Sequence, residues 1–298
     1  MWPFINPRKQ TDLPSHDSVG LDITCRLARN PKSLIPLYKQ YREKGTELNS
    51  AILNEIPKNV PLTAGKTLGL ARGKTFVFEA ESESSILMDY CIYNCPWDGK
   101  YAFEWYLERH KPPPDSAEYQ LLTAMRNARY GIYKVVKIRR GVGAVVEDIF
   151  RGENMFIIDI GLSRHAIKGL AFAGRLIAPE NRFFMTTGAM IPLLDEKALM
   201  AIFEFLSEMV PTPDHLKNLS REQLMDISTF IIRTMLRAGA AGNILYQTTP
   251  GVALQPEPVN LTPAAPSPSA GPYPGTARNA PCPCGSGKKH KKCCLGKE

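Results

Sequence analysis

The chain has 298 residues, 44% hydrophobic and 22% charged, enough apolar material for one large domain or two smaller ones. Mean hydropathy is −0.20, and no stretch approaches the ~20 consecutive apolar residues of a membrane helix, so no membrane span is expected. The formal net charge is +8. Lys288, Lys289, Lys291, Lys292 and Lys297 crowd the last segment against Glu298 alone. A body nearer neutrality with a basic tip predicts a local contact with RNA, ribosome or an acidic protein face, the plainer reading being a solvated tail. Seven cysteines are too sparse for a disulfide scaffold: Cys25, Cys91 and Cys95 are scattered, and four fall in the last seventeen residues. The start, Met1 to Arg8, lacks a basic region followed by a long apolar run, so no secretory signal is expected. Thiols kept reduced then point to the cytoplasm.

Residues 1 to about 30 are punctuated by proline and polar groups. A short helix is expected near Leu34 to Tyr38, limited by Pro36 and Gly45. Ser84 to Tyr93 reads as a helix with Ile86, Leu87, Tyr90 and Cys91 on one face. Asp98-Gly99 marks a turn, and Tyr101 to Arg109 is helical again until Pro112-Pro113-Pro114. Asp115-Ser116 precede the best amphipathic pattern, in which Tyr119, Leu122, Met125, Arg126 and Arg129 recur at helical spacing until Gly131.

The period then changes. Ile132 to Ile138, Ala144 to Phe150, Met155 to Ile160, Ala171 to Ile177 and Arg182 to Thr187 read as five short strands with Gly or Asn turns. Their tight spacing predicts a small antiparallel sheet or partly closed barrel and leaves no room for βαβ crossovers. Helices resume with Asp195, Glu196, Leu199, Ile202, Phe203 and Leu206, and again after Ser220, where Gln223 completes a capping box. Nine prolines between Thr248 and Pro281 leave no material for a core and predict an extended, flexible linker. The expected class is α+β: a mainly helical region 1–130, a β region 131–194, a helical region 195–247 packed on the body, a linker 248–281 and a zinc knuckle 282–298.

The strongest chemical signal is Cys282-Pro283-Cys284-Gly285-Ser286-Gly287-Lys288-Lys289-His290-Lys291-Lys292-Cys293-Cys294. Soft thiolates bind Zn2+ tetrahedrally, and structural sites use four protein ligands. Cys282 and Cys284 reach one ion from either side of Pro283, the glycines allow a tight turn, and the chain returns with Cys293 and Cys294. A segment this small buries too little apolar surface to fold alone, so a structural zinc ion is expected to supply its stability. Ligation by Cys282, Cys284, Cys293 and Cys294 is favoured; three of them with His290 is the alternative, and an unmetallated tail the bland one.

These residues resemble the SEC-C metal-binding motif, known from the C-terminus of the preprotein translocase ATPase SecA. In that family a Cys-x-Cys pair is followed, after eight intervening residues, by Cys-Cys or Cys-His. Cys282, Cys284, Cys293 and Cys294 stand at those positions. In SecA the module sits on a flexible tail and contacts an export chaperone and the ribosome through its basic surface, so the resemblance implies partners of that kind. It covers about seventeen residues, and the absence of a Walker loop excludes the translocase motor. Asp89 to Gly99, Glu118 to Arg129 and the hairpins of Ile132 to Asp159 also resemble uncharacterised bacterial proteins that carry such a tail; that similarity brings no function.

No catalytic residue is assigned in the body. Glu147, Asp148 and Asp159 lie on or beside adjacent strands and could act as a carboxylate pair; the plainer expectation is that Asp148 and Asp159 cap hairpin ends or pair with Arg140, Arg151 or Arg164. Ser163 and His165 lack an acidic orienter. Cys91 and Cys95 sit one helical turn apart without two further ligands, so packing is the default. Gly141-Val142-Gly143 precedes β-branched residues and is not a phosphate loop. Trp97, Tyr101 and Trp105 are expected as core anchors. Tyr133, Lys134, Lys137, Arg139 and Arg140 could form a single-strand nucleic-acid surface, with Glu147, Asp148, Glu153 and Asp159 opposing it. The sequence therefore predicts a non-enzymatic adaptor with a basic zinc tip. An enzyme of unrecognised class with a targeting tail and a nucleic-acid-binding protein are the alternatives.

Overall fold

A computed structural model describes residues 30–210, 215, 219–240, 279–286 and 288–293. The expectations for the first 29 residues, for 248–278 and for Cys294 lie outside them. The chain divides into two units, Met1–Tyr246 and Gln247–Glu298.

The larger unit is α+β. A 3-10 turn, Pro31–Leu34, leads into α1, Ile35–Glu55. This helix runs 21 residues, far beyond the short one expected. Pro36 lies in its first turn, where a missing N–H costs nothing. Tyr38, Tyr41, Leu48 and Ile52 form one buried stripe whose packing outweighs the roughly 1 kcal/mol that Gly45 costs an interior turn. The second helix, α2 (Asn59–Leu68), lies in a stretch where the sequence predicts no element. Gly65 is a close-packing position: a Cβ there would lie 2.8 Å from the Phe76 ring. That ring belongs to a small hairpin, β1 (Ala71–Arg72) with β2 (Thr75–Phe76).

Three expected helices follow: α3 (Glu81–Asn94), α4 (Ala102–His110) and α5 (Ala117–Arg126). Ser116 caps α5 by accepting from Tyr119 N at 3.1 Å. α5 stops earlier than its periodicity suggests. Residues 129–134 pair instead with 171–176, so Arg129 and Gly131 belong to a strand.

The main sheet consists of β3 (Arg129–Arg139), β4 (Gly143–Asp148), β5 (Glu153–Ile158), β6 (Ala171–Ile177), β7 (Met185–Thr186) and β8 (Ile191–Pro192). Its order is β5-β4-β3-β6-β7, with β8 also on β6, and every ladder is antiparallel. Ile158 N donates to Phe184 O at 2.8 Å, and Ile157 pairs with Phe184 in a parallel bridge. The segment ahead of β7 thus meets β5 and curls the sheet into a half-barrel. The β4–β5 pairing depends on Gly143, where a Cβ would stand 2.0 Å from Ile157 O.

Where β5 was expected to continue to Ile160, Asp159 ends it. Its carboxylate accepts from Leu162 N at 2.8 Å and caps a one-and-a-half-turn helix, α6 (Ile160–His165). The last two helices are α7 (Glu196–Met209), capped by Asp195, and α8 (Arg221–Arg237). Ser220 and Gln223 form the expected capping box: Ser220 Oγ accepts from Gln223 N, and Gln223 Oε1 accepts from Ser220 N at 2.8 Å. Phe205 and Phe230 stack at 3.9 Å to join α7 to α8. Asn94 Nδ2 donates to Ser228 Oγ at 2.6 Å, tying α8 to α3. A single core runs from the stripe of α1 through Leu121, Leu122, Tyr133 and Ile157 to Ile231. Among the described residues no helix is long and apolar enough to cross a membrane.

Candidate metal centre

Among the described residues of the smaller unit, a few backbone bonds set the turn. Pro281 and Lys289 form an antiparallel bridge; Cys282 N donates to Lys288 O at 2.8 Å, and His290 N to Ala280 O at 2.9 Å. These bonds lay the Cys282–Cys284 segment beside the returning lysine run. Gly285 adopts φ 78°, the left-handed region where a side chain is strained, and its N–H turns back to Cys282 O at 3.2 Å. A 3-10 turn, His290–Lys292, then swings Cys293 inward, its N–H donating to His290 O at 3.1 Å.

The result is a group of three thiols. The sulfurs of Cys282, Cys284 and Cys293 all lie within 4.8 Å of one another, with Cys284 and Cys293 at 3.3 Å. Zn–S bonds of about 2.3 Å in a tetrahedron separate sulfurs by roughly 3.8 Å, so the donor set and its spacing fit a bound zinc ion. Cys282 is buried, Cys293 half-buried and Cys284 exposed. The Ser286 hydroxyl, 3.2 Å from Cys284 Sγ, does most to push that thiol down to about 6, helped by Cys293 and Cys282. The thiolate is the form that binds metal. Lys288, Lys289 and Lys292 are exposed around the group, placing cations beside sulfurs that carry negative charge when ligating. His290 is buried but is not a member of the sulfur group.

A family model described as a family of unknown function (DUF7986) matches residues 32–209. The chain belongs to that family. A second model, the SEC-C motif, matches residues 278–296 and includes all four candidate cysteines. No curated protein and no solved structure is significantly similar to the chain.

Within the DUF7986 body, the carboxylates singled out from sequence are structural. Asp148, fully buried, accepts from Phe150 N at 2.9 Å and pairs with Arg151 at 2.9 Å, holding the β4–β5 turn as expected. Asp159 caps α6 and pairs with Arg42 at 3.2 Å, not with Arg140, Arg151 or Arg164. Thr186 Oγ1 also donates to it, at 2.5 Å. The partner lies 117 residues away in α1, a distance that strand patterning cannot read. Glu147 faces Lys134 across the β3–β4 ladder. The Ser163 hydroxyl is committed to backbone, donating to Ile160 O at 2.8 Å and accepting from Gly141 N at 3.1 Å, while His165 is exposed. Arg140 likewise donates to the carbonyls of Ser163 and Arg164, both at 2.8 Å.

Cys91 is buried and hydrogen-bonded to Cys95, which together with burial pushes its thiol up. Neither joins a metal-capable group among the described residues. Tyr133 is buried, which removes the aromatic platform from the basic face expected on β3; Lys134 and Lys137 stand exposed without it. Tyr101 is a core residue, whereas Trp97 is only partly buried and stacks on half-buried Trp105 at 6.3 Å.

Proposed function

We propose that the chain is an adaptor whose C-terminal module, shaped by one structural zinc ion, presents a lysine cluster to an acidic partner. Cys282, Cys284, Cys293 and Cys294 hold the ion in this reading. Lys288, Lys289, Lys291 and Lys292 supply the contact, and the proline-rich residues 248–281 serve as a tether. Ribosomal RNA or an export chaperone fits the charge of such a tip, and a cytoplasmic setting fits its need for reduced thiols. The body binds a second partner, and the tether raises the effective concentration at the tip without adding interface.

The convergence of three sulfurs in a segment whose described residues bury almost no apolar surface carries this reading. Metal ligation is the available force that gives such a segment a defined surface. Support for a non-enzymatic role comes from the body's conspicuous polar groups, which are committed to capping, turns and ion pairs.

Cosedimentation of the full chain with ribosomes, and capture of an export chaperone, compare the chain with its 282–298 deletion. The adaptor reading predicts association at low salt that weakens as salt rises and is lost on deletion. Association unchanged by the deletion, or none at low salt, contradicts it.

A further inference from the structure

The body contains a cavity of about 360 Å3 between the start of β3, the β4–β5 turn, α7 and α8. That volume falls within the roughly 300–1,000 Å3 of small-molecule sites. Among the described residues its wall contains five arginines, Arg126, Arg129, Arg151, Arg175 and Arg221, and no Asp or Glu. The carboxylates that steady four of them stand behind the wall: Glu153 on Arg129 at 3.8 Å, Asp148 on Arg151 at 2.9 Å, Asp89 on Arg175 at 3.1 Å and Glu104 on Arg221 at 3.1 Å. A guanidinium offers five N–H donors in a planar fork, so one carboxylate does not exhaust it; Arg175 also donates to Asn94 Oδ1 at 2.6 Å. Arg126 is exposed.

The rest of the wall is aromatic and aliphatic. Arg175 lies 4.3 Å from the Tyr93 ring centre and 5.2 Å from that of Tyr130, and Arg221 lies 3.8 Å from Tyr101. Stacking fixes the planes of these cations in the wall. The Tyr130 hydroxyl is buried and makes no hydrogen bond among the described residues. Native interiors leave few polar groups in that condition, and each asks for an explanation such as a bound water or ligand nearby. Four of the five cations are compensated by carboxylates and the fifth is exposed, so the arginines are tolerated there; what packing by itself does not call for is the hollow between them.

We infer that this cavity is a binding site for a small anion carried on a flat, apolar frame, such as an aromatic sulfonate, carboxylate or phosphate. The aromatic and aliphatic wall takes the frame, and the arginines at its edge take the charge. This site belongs to the body and does not rest on the metal module.

The full chain is titrated, by fluorescence, with 8-anilinonaphthalene-1-sulfonate and with N-phenyl-1-naphthylamine, the same rings without the sulfonate. One saturable site per chain is expected for the sulfonate, at least about tenfold tighter than for the neutral dye. Arg126→Gln weakens the sulfonate about three- to tenfold and leaves the neutral dye unchanged. Leu224→Trp, at a 41% exposed position in the cavity wall, weakens both. Both substitutions replace exposed side chains, so folding is retained, and an unchanged thermal midpoint verifies it. Equal affinity for the two dyes, or sulfonate affinity unchanged in either variant, overturns the assignment.

Discussion

The body and the C-terminal module solve the problem of stability in opposite ways. The body buries one apolar core between its helices and a half-barrel sheet, and its buried carboxylates Asp159 and Asp89 are ion-paired. In the module only Cys282 and His290 are buried among the described residues, and a few backbone bonds set the turn. A core makes a region independent of ligands, whereas a module without one follows the chemistry of its side chains. The two regions should therefore fail independently.

The largest effect is expected from removing metal. Structural zinc contributes on the order of 10–16 kcal/mol in small finger modules, so a strong chelator should abolish the module's fold. The thermal midpoint of the body should move by less than about 1 °C. Two-dimensional NMR before and after chelation reads both: dispersed signals from residues 279–293 collapse while those of the body stay. The reverse experiment is Gly143→Ala. A Cβ placed 2.0 Å from Ile157 O must push β4 from β5, at an expected loss of about 3 kcal/mol or more in denaturant unfolding. Zinc content should be unaffected.

Asp159→Ala sharpens the contrast within the body. It removes the cap of α6 and leaves Arg42 and Thr186 without their shared acceptor. Because Arg42 is 31% exposed, solvent recovers part of the loss, and about 2–3 kcal/mol is expected. The smallest change is Ser220→Ala, which deletes half of the capping box on α8 and should cost about 1 kcal/mol by the same unfolding assay.

The sequence is most readable where the determinants are local. The capping box of Ser220 and Gln223, the turn built by Asp148 with Arg151 and the Cys-x-Cys spacing of Cys282 and Cys284 each act within a few residues. The antiparallel sheet is legible too, since β-branched runs with Gly turns allow few other pairings. What escapes is set by partners far along the chain. Gly45 reads as a breaker because the tertiary packing of the α1 stripe that overrides it is not written in its neighbours, and the role of Gly65 depends on Phe76 in another element. Arg129 looks helical until β6 claims it. The arginine-lined cavity draws on residues from Tyr93 to Ser228, so no local motif announces it.

Everything assigned to the tip depends on sulfur holding a metal ion. The most direct test is elemental analysis of the reduced, purified chain beside a variant with Cys282, Cys284, Cys293 and Cys294 all changed to serine. The expected result is one zinc per wild-type chain and none in the variant. A wild-type chain without stoichiometric zinc, or a variant that keeps it, would contradict the account.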